Sequence, residues 1–310
     1  MRILITGASD GIGYATARQL AEHGHAVVMH GRGGEKLDRA VAEVRAAAAQ
    51  AGAVQDGAAQ EEGAQPAAAH AAAGSPTPRE STGSAAGKVD AAVADLASLR
   101  EVEDLAGDVS HRFPDLQVLI LNAGVMTRER KTSHDGYELN LAVNHLAPML
   151  LAERLLPTLS ANAPARIVVV SSMVHAGATL NFDDLQFTHG YDGMQAYSAS
   201  KLANIYMTHV LSESLHPETV TVNALHPGVI STKLLHEYFA GGADTHTGAA
   251  TSVYLAESPE VAGVTGAYFS NRRRQETAAL REPEHREAAH QLWSESHRLI
   301  NRALGGVENR

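Results

Sequence analysis

The segment Arg2-Ile3-Leu4-Ile5-Thr6 is a short apolar run that stops at a glycine cluster, Gly7-Ala8-Ser9-Asp10-Gly11-Ile12-Gly13, after which apolar residues recur at helical spacing through Leu20. Strand, glycine turn and helix in that order form the opening unit of an open α/β sheet. The glycines have a physical task there: they admit positive φ and let a phosphate approach the backbone at a helix N-terminus, where unpaired N–H groups point outward. Gly7, Ser9, Asp10, Gly11, Ile12 and Gly13 are therefore candidate contacts for a dinucleotide pyrophosphate. A glycine cluster in isolation is more often an ordinary loop; its place directly after a first strand carries the nucleotide reading.

The next strand, residues 25–30 (HAVVMH), ends on Gly31-Arg32. In such folds this end reads the adenosine ribose, and a carboxylate there would accept from a 2′-hydroxyl. None is present. The planar fork of Arg32 can instead bind a 2′-phosphate, which favours NADP(H) over NAD(H); the alternative is a solvated loop arginine. Residues 35–49 have helical periodicity. Across residues 50–87 the composition turns to alanine, glycine, glutamine, serine and proline, with almost no large apolar side chains. Such a segment cannot bury enough surface to offset its ordering entropy, so a disordered surface insertion is expected there.

A third strand over residues 88–96 closes on Asp95-Leu96, and Asp95 can cap a helix that starts near Ser98. A fourth, fully apolar strand at 116–121 runs into Asn122-Ala123-Gly124, whose plain reading is a strand-ending turn. Residues 139–156 are helical and contain Asn144, His145 and Pro148. The fifth strand, 167–170, ends in Ser171-Ser172, at the edge where open α/β sheets place their ligands. The following helix, 197–215, opens on YSASK, so Tyr197 and Lys201 lie one turn apart on a shared face. A phenol beside a fixed cation gives up its proton nearer neutrality, which makes Tyr197 a candidate general acid and base for carbonyl chemistry. Tyr/Lys pairs at this spacing are also common on surface helices.

A sixth strand at 219–225 leads into His226-Pro227-Gly228-Val229-Ile230-Ser231-Thr232. Residues 233–245 read as a substrate lid. Then come a helix at 248–257, a seventh strand at 265–270, a basic triplet at 272–274 expected as a solvated turn, and a closing helix at 282–303 with the sole tryptophan, Trp293.

TGASDGIG, Asp95-Leu96, Asn122-Ala123-Gly124, Asn144, Ser171-Ser172, Tyr197-x-x-x-Lys201 and Pro227-Gly228 occur in the order found in short-chain dehydrogenases/reductases, along nearly the whole chain. The sequence resembles that family, and NFDDL at 181–185 with YSASKLAN at 197–204 is similar to its retinol-dehydrogenase-like branch. The resemblance implies a single Rossmann domain over residues 1–310, with a doubly wound seven-stranded parallel sheet and helices on both faces. The insertion at 50–87 is the main departure. It further implies that Asp95 and Leu96 meet the adenine and that Asn122, Ala123 and Gly124 line the cofactor cleft. Asn144 would hold a water linked to Lys201, and Ser172, rather than Ser171, would be catalytic. The Pro227-Gly228-Val229 turn would pass under the nicotinamide, Thr232 would help hold it, and Tyr197 and Lys201 would face the cofactor as well as the substrate. Asp10 is a local departure, standing where many NADP-preferring relatives carry a basic residue.

With 310 residues and 44% hydrophobic content the chain can build a sizeable core. A formal net charge of −10 disfavours a nucleic-acid partner. No cysteine is present, so disulfides and thiolate metal sites are excluded. None of the 17 histidines falls in HExxH, and His285 and His290 lack a nearby cluster of ligands in sequence, so no metal is expected. No apolar run approaches the roughly 18 residues that span a bilayer, and a strand starting at Arg2 leaves no room for a signal peptide. A cytoplasmic protein acting on a small molecule is expected, and the resemblance adds pairing as a homodimer or homotetramer through the helices of Asn144 and Tyr197.

The expected function is hydride transfer between NADP(H) and a carbonyl or alcohol, with Tyr197 as general acid and base and Ser172 donating to the developing oxyanion. Bringing a phenol from its ordinary pKa to neutrality takes roughly 3 units, or about 4 kcal/mol. A catalytically silent dinucleotide-binding regulator is the alternative, against which the Ser172, Tyr197 and Lys201 set speaks. A structural interaction module would bind no cofactor at all.

Overall fold

Strands made of Val, Ile and Leu without a polar face are stable only in a sheet covered on both sides. β1 (Arg2–Ile5), β2 (Ala26–Gly31), β4 (Leu116–Leu121), β5 (Ala165–Val170) and β6 (Val220–His226) are such strands. With β3 (Val89–Val93), β7 (Tyr268–Ser270) and β8 (Arg273–Gln275) they form one sheet in the order β3-β2-β1-β4-β5-β6-β7-β8. The computed structural model describes residues 1–62, 88–232 and 241–306.

Side chains alternate across the sheet, and the helices divide accordingly. Ile3 and Ile5 point into a core shared with Leu20 of α1 (Gly11–Glu22), Leu37 and Val44 of α2 (Glu35–Glu62), and Val253 of α7 (Thr245–Glu257). Leu4 points the other way, to α3 (Leu99–Arg112), α5 (Ala147–Ala161) and α6 (Gly193–Ser214). Beyond α6 lies a further layer, α9 (Pro283–Ala303), preceded by the single turn α8 (Ala278–Arg281). α9 buries Leu292, Leu299 and Ile300, each contributing about 2 kcal/mol by removal from water. This explains why every residue from Ser198 to Leu211 of α6 is buried: the helix has the sheet on one side and α9 on the other.

The strand order reverses between β1 and β4, and the crevice at the carboxyl ends of these two strands is where open α/β sheets bind ligands. β1 to β7 run parallel, as expected. The count differs from seven because the basic triplet is not a solvated turn. Asn271 and Arg272 have φ of 51° and 60°, which closes a two-residue hairpin and returns Arg273–Gln275 antiparallel to β7. The second difference is α2, which continues to Glu62, well into the stretch expected to lack structure from residue 50. Alanine, glutamine and glutamate are strong helix formers, so a segment too polar for a core can still prolong a helix that is already nucleated. The rest of that insertion lies outside the described residues, as do residues 233–240 of the expected lid.

The helix expected over residues 139–156 is interrupted. α4 (Leu139–Leu141) and α5 are joined by a π turn, Ala142–Leu146, centred on Asn144. No helix among the described residues is long and apolar enough to cross a membrane.

Candidate active site

The glycine turn is built from backbone conformation and lack of space. Gly7 and Gly11 have φ of 67° and 58°. A Cβ at Gly13 would lie 2.3 Å from the Gly7 carbonyl oxygen and 2.4 Å from Asn122 Nδ2, and one at Gly7 would lie 2.9 Å from Ala123 Cα. Asn122 Nδ2 donates to the Thr6 carbonyl at 2.9 Å, while Thr6 Oγ1 accepts from the N–H groups of Asn122 (2.9 Å) and Ala123 (3.0 Å). The Asn122-Ala123-Gly124 turn is thus the brace of the glycine turn. A second brace is His30, which sequence reasoning missed because one histidine in an apolar strand leaves no pattern. Its Nδ1 accepts from Gly7 N–H at 3.3 Å, so Nε2 carries the proton and donates to the Ala94 carbonyl at 3.2 Å. Burial pushes its pKa down to about 4, which keeps the ring neutral in this role.

The surroundings fit a dinucleotide. Asp10 caps α1, accepting from Gly11 N–H at 2.8 Å, and a Cβ at Gly11 would lie 3.6 Å from Thr232 Cγ2, which puts Thr232 over the start of the helix. Ser9 packs beside Gly31 at the end of β2, and the side chain of Ile12 faces Gly248 of α7. Arg32 is exposed just past β2. Lys36 in the first turn of α2 places Nζ 2.8 Å from Asp10 Oδ2, so the acid is accompanied by a cation. Lys36 was also missed; a basic residue one turn after Arg32 was the available signal.

Asp95 does not cap α3. Ser98 does, accepting from Glu101 N–H at 3.3 Å, while Asp95 accepts from Ala97 N–H at 3.0 Å and keeps its other oxygen 3.5 Å from His134 Nε2. The Leu96 side chain lies in the core against α3.

Across the crevice, β5, the π turn and α6 bring four polar side chains together. Asn144 Oδ1 accepts from Val125 N–H at 2.7 Å, and its Nδ2 donates to the Val125 carbonyl and to Ser200 Oγ, both at 2.9 Å. Turns of π type open the helical ladder, and here the opening aims Asn144 at the neighbouring chain. Lys201 is buried with no carboxylate beside it among the described residues, and Nζ donates to the Val170 carbonyl at 3.1 Å. A Cβ at Gly124 would meet Asn144 Oδ1 at 3.3 Å and Lys201 Nζ at 3.4 Å, so this glycine is where the glycine-turn brace touches the Lys201 group. Ser171 Oγ is buried and donates to the Lys201 carbonyl at 2.8 Å. Ser172 is partly exposed at the start of a 3-10 turn, where its Oγ accepts from Val174 N–H at 3.5 Å.

The electrostatics depart from expectation. Burial pushes the Tyr197 phenol up to about 12, with the hydrogen bond from Ser172 pulling the other way. Burial also lowers Lys201 to about 8. The Lys201 Nζ sits 5.5 Å from the centroid of the Tyr197 ring. Desolvation therefore outweighs the cation in the protein alone, and the phenol holds its proton firmly.

The substrate side has an apolar rim, with Met173 and Val229 56% and 53% exposed. Gly228 has φ of 99°, which turns the chain after Pro227. A cleft of about 1000 Å³ lined by His23, His25, Tyr254 and Glu257 lies elsewhere, between α1, α7 and the β7–β8 hairpin, and contains none of these residues.

A doubly wound sheet with a glycine cradle at its switch point, facing a buried lysine, tyrosine and serine, is a Rossmann-type oxidoreductase scaffold. The sequence pattern of the short chain dehydrogenases matches residues 1–77 and 75–242, the two matches meeting within the insertion. The chain belongs to the short-chain dehydrogenase family. It is 35% identical to retinol dehydrogenase 14 of Homo sapiens, over 96% of this chain and 85% of that protein. It is 32% identical to polyprenol dehydrogenase of Homo sapiens, over 94% and 83%. Among solved structures, an uncharacterized protein from Mycobacterium Paratuberculosis superposes with a TM-score of 0.69 at 27% identity, covering 97% of this chain and 93% of that one.

Proposed function

We propose that this protein is an NADP(H)-dependent alcohol dehydrogenase/carbonyl reductase in which Tyr197 is the general acid and base. The carrying observation is the contact chain from Gly7 through Ala123 and Gly124 to Lys201 and Asn144, which joins a dinucleotide cradle to the Tyr197 cluster. The bound cofactor supplies or accepts the hydride. In reduction, Tyr197 gives its proton to the carbonyl oxygen, for which a phenol that is fully protonated at neutral pH is well prepared. Ser172 donates to the same oxygen as negative charge grows on it. In oxidation the phenol must first descend from about 12 toward 7, about 7 kcal/mol rather than the 4 that an exposed phenol would need. Lys201, a cation with no carboxylate to neutralise it among the described residues, is the protein's contribution to that descent, and Asn144 serves it through the crevice.

Arg32 and Lys36 support NADP(H), since together they present two cations at the end of β2 where a 2′-phosphate would lie. Relatives that bear the names retinol and polyprenol dehydrogenase, together with the rim residues Met173 and Val229, point to an isoprenoid alcohol or aldehyde as substrate. The test is turnover of retinal, a polyprenal and short aldehydes with NADPH and with NADH, followed by cofactor absorbance. Unimpaired turnover by Tyr197→Phe would sink the proposed acid, and NADPH binding without turnover of any aldehyde would favour the silent regulator.

A further inference from the structure

Beyond the catalytic turn, α6 runs on to a cluster that the reaction does not use. His209 and Glu213 lie one turn apart on α6, and His290 faces them from α9. His209 Nε2 is 3.3 Å from Glu213 Oε1, His290 Nε2 is 3.0 Å from Glu213 Oε2, and the three donor atoms all fall within 4.8 Å of one another. The two imidazole rings have centroids 6.3 Å apart. His209 is buried, at 8% exposure, and its Nε2 has no hydrogen-bond partner although it points into the cluster. Glu213 and His290, with side chains 46% and 57% exposed, form the solvent side.

Both imidazoles lie within ion-pair distance of Glu213, yet the buried Nε2 of His209 lacks the alignment of a hydrogen bond. Two imidazoles and one carboxylate are the donor set of zinc and its neighbours in the first transition row. Bond lengths of about 2.0–2.2 Å place the donor atoms of a tetrahedral ion roughly 3.3–3.5 Å apart, close to the spacings seen here. The site is also held in register from the next turn, where Tyr206 Oη and His285 Nδ1 are 2.6 Å apart across the same two helices. Arg286, one turn before His290, and His290 itself are the positive groups acting on His209, and Glu213 offsets them. The expectation of no metal rested on His285 and His290 having no ligands nearby in sequence; the partners come from a helix nearly eighty residues earlier.

We propose that His209, Glu213 and His290 bind a divalent transition-metal ion, Zn²⁺ foremost, with water completing its shell, and that the ion staples α9 to the catalytic helix α6. The experiment uses the full chain without a histidine tag, stripped with chelator and titrated with ZnCl₂ by calorimetry and with CoCl₂ by visible absorption. One ion per chain is expected. Glu213→Gln and His290→Asn, both at exposed positions that folding tolerates, should each weaken binding by at least about tenfold, while His189→Asn, at a 92% exposed histidine outside the cluster, should not. Zn²⁺ should slow amide exchange across α9 in the parent and leave it unchanged in His290→Asn. Equal Zn²⁺ affinity in parent, Glu213→Gln and His290→Asn, or an exchange pattern over α9 indifferent to Zn²⁺, would overturn the proposal.

Discussion

The glycine turn at residues 7–13 and the closure of residues 229–231 on residues 242–243 both depend on glycine, but they are held differently. The first is bonded into the sheet: Thr6, Asn122 and His30 each grip it, and Gly13 has no room for a methyl group. In the second, Ser231 N–H donates to the Ala243 carbonyl at 2.8 Å and Ala243 N–H to the Val229 carbonyl at 2.9 Å. Gly242, with φ of 130° and its Cβ position 2.6 Å from Ser231 N, permits that closure. The glycine turn is thus part of the core, whereas residues 229–231 and 242–243 meet through two backbone hydrogen bonds.

The sharpest way to break this comparison is Gly13→Ala. The added methyl must displace the Gly7 carbonyl and Asn122, so dinucleotide binding should vanish in a fluorescence titration, with destabilisation of about 1–3 kcal/mol or more in thermal unfolding. Tyr197→Phe should instead leave the melting temperature and cofactor binding intact and lower kcat about 10²–10⁴-fold. Losing both Arg32 and Lys36 to alanine should raise the Kd for NADPH by about tenfold per lost charge-assisted contact while leaving NADH unchanged; equal loss for both cofactors would refute the 2′-phosphate reading.

Acid should loosen the cofactor side. Burial holds His30, His145 and His226 near pKa 4, well below their ordinary 6.5. The unfolded chain therefore binds these protons first as pH falls. Stability is fully present above pH 6.5 and declines between 6.5 and 4, by about 3 kcal/mol per histidine. His30→Asn should flatten that decline by one proton in melting curves taken across the range. The smallest effect on cofactor affinity is expected of Gly242→Ala, whose strain of about 1–2 kcal/mol at positive φ adds to the clash of its Cβ with Ser231 N and should raise KM. If it impaired NADPH binding as Gly13→Ala does, the two loops would not be separate devices.

Much of this was legible in the residues. The strands from β1 to β7 announced themselves as apolar runs, with Thr6-Gly7, Asn122 and Ser172 just past their ends and Tyr197 on a helix of its own, because side-chain period and turn chemistry are local. The β7–β8 hairpin was not legible, since Asn271-Arg272 lacks the glycine that normally marks such a turn. Nor was the phenol's pKa: the Tyr-Lys spacing suggests a lowered value, and the depth of burial reverses it. The assembly of α9 on α6 was equally hidden, because His145 meets Ser296 at 2.9 Å and Tyr137 donates to the Leu299 carbonyl at 2.8 Å across more than a hundred residues of chain.

Order of residues alone settled the doubly wound sheet and the glycine cradle and made Ser172, Tyr197 and Lys201 candidates, because each depends on neighbours a few positions away. Only the tertiary structure decided which way desolvation moves the phenol and the lysine, that His30 and Lys36 attend the cofactor end, and that His209, Glu213 and His290 converge. These depend on burial and on distances between segments remote in sequence, quantities that no spacing along the chain encodes.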